Sequence, residues 1–163
     1  MPIAGIEQPS VIQVHCGLRL RKFDGRFDFA YKWYQDVETV YLVDGVRKTY
    51  DWETLERMYR WLDSKGELYF IEALESDGYR PIGDVTFWAE DLPIVIGDSA
   101  YRGKGVGRKV IGALVQRARA LGWSRLYVNE IYNYNIGSRR CFELAGFRVC
   151  EEKEHGVRMI LTL

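Results

Sequence analysis

Three glycines in five residues, within Arg102-Gly103-Lys104-Gly105-Val106-Gly107, constrain this chain more than any other feature. They strip side chains from one short turn that runs directly into a segment of helical periodicity. Each glycine lowers local helix propensity by about 1 kcal/mol relative to alanine, so the run implies a compensating use. A bare turn at a helix start presents free backbone N–H groups and the positive end of the helix dipole. The flanking charge agrees. Between Ser99 and Gly122 lie Arg102, Lys104, Arg108, Lys109, Arg117 and Arg119 and no acidic residue. Cations at a helix N-terminus oppose its dipole, and a bound anion relieves that conflict. The turn is therefore read as a phosphate cradle.

Its spacing excludes two familiar cradles. The dinucleotide fingerprint needs Gly-x-Gly-x-x-Gly, with an acidic residue about 20 positions on. Here the spacing is Gly-x-Gly-x-Gly, and Gly122 and Trp123 occupy the downstream region. The triphosphate loop fails too: Gly97 stands one residue too far from Gly103-Lys104, and no Ser or Thr follows Lys104.

The 163 residues suit one domain, 1–163, with Met1 to Ser10 as a loosely ordered lead-in that has no signal pattern. The 23 basic and 23 acidic side chains cancel, which argues against a nucleic-acid partner. No apolar run approaches the roughly 18 residues of a membrane span. Cys16, Cys141 and Cys150 are unpaired in spacing and read as reduced, small buried hydrophobes of a cytoplasmic protein. With only His15 and His155 and no Cys-x-x-Cys, no metal site is expected.

Periodicity gives the order βααβββαβαββ, an α+β class with helices on the faces of a mixed sheet. Val14 to Phe23 reads as the first strand, Phe27 to Gln35 as a short helix, and Val37 to Lys48 as loop with a short extended piece. Asp51 to Ser64 reads as a helix capped by Asp51, with Thr54, Leu55, Met58, Trp61 and Leu62 as its apolar stripe. Strands follow at Glu67 to Leu74, Arg80 to Trp88 and Pro93 to Gly97. Lys104 to Leu121 is the strongest helix. Arg125 to Ile131 is a strand, Ile136 to Ala145 a helix, and Phe147 to Glu152 with Val157 to Leu163 a closing hairpin. Trp33, Trp52, Trp61 and Trp88 read as core, with Trp33-Tyr34 and Trp88 as candidate pocket walls.

These residues resemble the GNAT superfamily of N-acetyltransferases. Arg102-Gly103-Lys104-Gly105-Val106-Gly107 fits its Arg/Gln-x-x-Gly-x-Gly/Ala signature. Gly97-Asp98-Ser99-Ala100-Tyr101 is similar to its lead-in, and Asn135-x-x-Ser138-x-x-x-Phe142 with Leu144-Ala145-Gly146-Phe147 to its second cofactor motif. The likeness is specific over about residues 67 to 150, and is greatest to the ribosomal-protein N-terminal and aminoglycoside branches. It implies the acyl-CoA N-acyltransferase fold and acetyl-CoA as cosubstrate, with no metal. The pyrophosphate would lie on Arg102, Gly103, Lys104, Gly105, Val106, Gly107 and Arg108. The pantetheine arm would pair with Val95, Ile96 and Gly97, with an N–H near Ile96 polarising the thioester carbonyl. Asn135 would bond the arm or cap the next helix, and Ser138 would approach the cofactor.

A protonated amine must lose its proton before attack, and a carboxylate is the natural acceptor. The resemblance implies Glu130 or Asp91 for this role; Asp84, Glu90, Asp98 and a purely solvent-borne route stand behind them. The family's usual tyrosine acid falls on Phe142, a departure; Tyr132 or Tyr134 are the candidate substitutes, and water reprotonating the thiolate is the alternative. Acidic residues ahead of the glycine turn (Asp36, Glu38, Asp44, Asp84, Glu90, Asp91) suit a cationic acceptor such as an aminoglycoside. A peptide or protein N-terminus, a non-catalytic acyl-CoA sensor and a homodimer stay open.

Overall fold

The computed structural model describes residues 1–163. Strands β1 (Val11–His15), β2 (Leu18–Lys22), β3 (Glu67–Glu75), β4 (Gly78–Phe87) and β5 (Ile94–Ile96) form one sheet in that order, antiparallel throughout. Strands β6 (Arg125–Tyr132), β8 (Gly156–Thr162) and β7 (Arg148–Glu152) form a second antiparallel sheet. The helices are α1 (Val37–Asp44), α2 (Trp52–Lys65), α3 (Val106–Ala120) and α4 (Ile136–Leu144), with a 3₁₀ segment over Asp28–Gln35. No helix is long and apolar enough to cross a membrane. The α+β class holds, with antiparallel pairing in place of the expected mixed sheet and with one strand and one helix more than the expected order.

β3 explains the layering. Its residues alternate between two cores, so the strand is buried on both faces and reads as a continuous apolar run. Tyr69 and Ile71 join the core under α3 with Val110, Ile111 and Leu114. Leu68 and Phe70 join the core under α2 with Leu55, Tyr59, Trp33 and Tyr34. The Asp51 carboxylate caps α2 through the Thr54 amide at 2.8 Å.

Several expectations need correction. The first strand is a hairpin, β1 and β2, because Gly17 at φ +73° turns the chain between His15 and Leu18. Val37 to Lys48 holds a helix, α1, closed by Gly45 at φ +74°, whose amide donates to Tyr41 O. Its Val37, Thr39, Val40 and Val43 are β-branched and imitate a strand. In α2 the buried face is Leu55, Tyr59 and Leu62, one helical stripe, so Trp61 turns outward and rests against Trp88. Trp52 is likewise exposed and stacks on Phe27. Cys16, in the β1–β2 turn, and Cys150, on β7, are exposed, not core; only Cys141 is half-buried. The lead-in lacks helix and strand, yet Gln8 is buried with its amide donating to Leu68 O at 3.0 Å, and Ile3 packs on the main core.

Candidate functional site

Between the two sheets the hydrogen-bonded ladder stops, and the site grows from that break. β6 runs beside the segment after β4: the Tyr127 amide donates to Ala89 O at 2.9 Å, and the Asn129 amide donates to Asp91 Oδ1 at 2.9 Å. The same Oδ1 accepts from the Leu92 amide at 2.9 Å. Past that point no bond joins β5 to β6. Asp91 therefore sits at the vertex of a fork whose arms are Ile94–Ile96 and Glu130–Tyr132. Burial raises its carboxyl above the usual range, against the pull of the two amides.

On the first arm, Thr86 N donates to Pro93 O at 3.0 Å, and Asp84 pairs with Val95. Antiparallel alternation then turns the N–H and C=O groups of Ile94 and Ile96 away from β4, toward the open edge. At the end of the arm, the amide that donates to Ile82 O is that of Asp98. The Gly97 amide is left without a backbone acceptor, as at a bulge. Gly97 is obligatory for a second reason: a Cβ there would run into the Trp33 ring. Trp33 and Tyr34 are core residues, 3% and 0% exposed, and Trp33 Nε1 has no partner.

The arm leads into the glycine turn. Gly103 (φ +70°) and Gly105 (φ +80°) adopt the left-handed conformation that disfavours side chains, and Gly105 is the N-cap of α3. The amides of Gly103, Lys104 and Gly105 find no acceptor in the chain, and no carbonyl of the turn accepts from Val106, Gly107 or Arg108. Lys104, Arg108 and Lys109 stand exposed beside these amides. A row of free donors among cations is suited to a polyanion. Gly107 is helical and faces α4, where a Cβ would lie 3.7 Å from Cys141 Sγ. Arg102, expected among the phosphate ligands, has its guanidinium engaged away from these amides. Its Nε donates to Ile96 O at 2.9 Å and its Nη2 to Thr39 Oγ1 at 2.6 Å.

On the second arm, β6 bulges: Val128 pairs with Met159 and Ile131 with Val157, so Asn129 and Glu130 together oppose one residue. The bulge leaves Glu130 exposed with no hydrogen-bond partner in the chain. Beyond it, Tyr132 is half-buried and its hydroxyl is unpartnered, while the Tyr134 hydroxyl donates to Tyr41 O at 2.6 Å. Burial first, then the charges of Glu130 and Asp44, raise the Tyr132 phenol. Asn135 is the N-cap of α4, its Oδ1 accepting from the Ser138 amide at 3.3 Å. Phe142 is fully buried against Phe147 and offers no proton.

Of the six acidic residues ahead of the turn, Glu38 and Glu90 are engaged by Arg47 and Arg158 at the surface. Asp36 accepts from the Thr39 hydroxyl. Asp91 holds the fork, and Asp98, outside the six, pairs with Arg80 at 2.7 Å and caps Ala100. Asp44 accepts from Tyr50 Oη at 3.2 Å. Asp84 is the unexpected one. It is 3% exposed on β4, and its Oδ2 accepts from Tyr34 Oη at 2.7 Å and Tyr59 Oη at 2.8 Å. Burial outweighs these two bonds and pushes its carboxyl up to about 6. No pattern in the sequence marks this triad, because the tyrosines come from different helical segments.

A raised carboxyl destabilises the fold as pH rises. The folded protein holds the Asp84 proton between about pH 4 and 6 while the unfolded chain has released it, so stability falls across that window. The loss totals about 3 kcal/mol. Asp84→Asn keeps an acceptor for both tyrosines and removes the titration. Urea unfolding at pH 4.5 and 7.5 is expected to show the variant losing less stability over this interval than wild type, by that order. Parallel pH dependences in the two proteins would refute the assignment.

The comparisons concern the family and the fold. The family model described as "Acetyltransferase (GNAT) domain" matches residues 18–148. A domain from Methanocaldococcus jannaschii is similar in structure, with 20% identity, 90% of this chain and 98% of that chain covered, and a TM-score of 0.76. An aminoglycoside acetyltransferase AAC(6')-Ib in complex with coenzyme A has 19% identity, coverage of 89% and 94%, and a TM-score of 0.71. A spermidine N-acetyltransferase from Vibrio cholerae in complex with CoA and spermine has 17% identity, coverage of 91% and 96%, and a TM-score of 0.69. No curated protein matches the chain.

Proposed function

The chain belongs to the GNAT acetyltransferases, and from that premise we propose that it transfers the acetyl group of acetyl-CoA to a primary amine of a cationic small molecule. The row of free amides from Gly103 to Arg108, beside the open edge of β5, carries this reading. The amides with Lys104 and Arg108 receive the pyrophosphate. The Ile94 and Ile96 edge receives the pantetheine arm, with Asn135 and Ser138 at its other side. The amine attacks the thioester carbonyl directly, and the oxyanion is met by the N–H groups of Ile96 and Gly97.

Glu130 takes the amine proton through water, and Tyr132 returns a proton to the leaving thiolate. The free carboxylate on the bulge and the unpartnered hydroxyl two residues on support this pairing. Asp91 is assigned to holding the fork, since two amides share its Oδ1. The cationic acceptor is supported by the carboxylates of Asp44 and Glu130 around Tyr132, and by the kanamycin and spermine complexes of the structural neighbours.

Incubating the protein and acetyl-CoA with a panel of kanamycin, spermine and a peptide with a free N-terminus tests the reading by mass gain of one acetyl group. Acetylation of the peptide alone, or CoA binding with no acetylated amine, would overturn it. Glu130→Gln is expected to lower turnover roughly 100-fold at pH 6 and less at pH 9, where more amine is already neutral, with CoA affinity unchanged. Wild-type rates from pH 6 to 9 would remove Glu130 from the mechanism.

A further inference from the structure

Arg102 opens the glycine turn but does not face it. Its guanidinium spans two elements instead. Nε donates to Ile96 O at 2.9 Å, and Nη2 donates to Thr39 Oγ1 at 2.6 Å and reaches Gly97 O at 3.5 Å. Nη1 lies 3.9 Å from Asp36 Oδ2. Thr39, on α1, is buried, and its hydroxyl donates to Asp36 Oδ2 at 2.7 Å, which leaves a lone pair for Arg102. The other side of α1 is tied to the second arm. Tyr134 Oη donates to Tyr41 O, the two rings stack with centroids 4.2 Å apart, and Gly45 lies against the Tyr132 and Tyr134 rings. Helix α1 thus crosses from one arm of the fork to the other, and Arg102 is its fastening on the β5 side.

We propose that Arg102 is a positioning residue, which fastens α1 to the donor strand and transmits the state of the glycine turn to the wall beside Tyr132, and is not a phosphate ligand. The planar fork of donors suits this task, because it addresses a strand carbonyl and a helix hydroxyl from one rigid group. A lysine ends in one nitrogen on a flexible stem and lacks the fixed spacing by which Nε and Nη2 address the two acceptors. The bond to Ile96 O also occupies one acceptor on the open edge, which leaves that edge richer in N–H donors than in acceptors. This proposal rests on the reading of the turn as a CoA site.

The test combines CoA titration by calorimetry with amide hydrogen exchange in α1, for wild type, Arg102→Ala, Arg102→Lys and Thr39→Val. Thr39→Val keeps the buried volume, removes the hydroxyl and leaves the turn untouched. In all three variants the α1 amides are expected to exchange about tenfold faster, the loss of roughly one charge-assisted bond, while the CoA dissociation constant stays within about twofold of wild type. CoA is expected to slow α1 exchange in wild type and to leave it unchanged in the variants. A tenfold or larger loss of CoA affinity in Arg102→Ala with α1 exchange unaltered would overturn the proposal, as would an α1 indifferent to CoA in wild type. If wild type binds no CoA, the donor-site reading fails, and the exchange rates without CoA still decide whether Arg102 fastens α1.

Discussion

Gly105→Val is expected to raise the CoA dissociation constant by about 100-fold or more, read by calorimetry, in a protein that still folds. Gly105 holds φ +80° at the N-cap of α3. Nothing lies within 4 Å of a Cβ built there, so no clash forces unfolding. The cost is conformational. A β-branched residue resists the left-handed region by about 1–3 kcal/mol. The turn relaxes by rotating its peptide planes, and the donors that aim at one anion scatter. Two hydrogen bonds to a charged group lost at about 1.5–3 kcal/mol each give at least 100-fold. Gly107→Ala is the internal control: its backbone is helical and its Cβ makes an ordinary 3.7 Å contact with Cys141, so CoA binding persists. Wild-type CoA affinity in Gly105→Val would refute the cradle.

The largest effect on stability is expected from Glu67→Ala, a loss of about 3–5 kcal/mol. Glu67 opens β3 and is fully buried. Arg117 of α3 grips it in two parallel bonds, Nε to Oε1 and Nη2 to Oε2, each 2.7 Å, and Tyr69 Oη donates to Oε1 at 2.9 Å. Removing the carboxylate leaves a guanidinium 16% exposed and uncompensated, together with an unpaired phenol. Such a loss is a large share of the 5–15 kcal/mol that typically holds a domain together, and it lowers the melting temperature on the order of 10 °C. Replacing both partners by apolar residues of similar volume, Glu67→Leu with Arg117→Met, is expected to recover most of the loss, because the desolvated charge disappears with its partner. Urea unfolding of the single and double variants decides this. A single variant within 1 kcal/mol of wild type would show that water reaches the pair.

The elements around the glycine turn were legible because they are local. The glycine turn, the α3 stripe and the Asn135 cap each lie within a few neighbouring residues, where spacing maps directly onto geometry. Asn135 and Ser138 meet as an N-cap because three residues separate them along one turn. Helix α1 was hidden by its β-branched composition, and its place is fixed by Arg102 and Tyr134, which are 63 and 93 residues away from their partners on it. Trp61 misled because the helix had two usable apolar stripes, and packing against β3 selected the one through Tyr59.

The sequence by itself determined the class of fold, the glycine turn that opens α3 and the strand that precedes it, since these depend on periodicity and on glycines that permit positive φ. Tertiary structure alone decided where the carboxylates sit and what they face. It placed Asp91 at the vertex of the fork, set Glu130 free on a bulge, buried Asp84 between two tyrosines and turned Arg102 from the cradle to α1. Each of those roles depends on burial and on partners distant in the chain, and these exist only once the two sheets and the helices have packed.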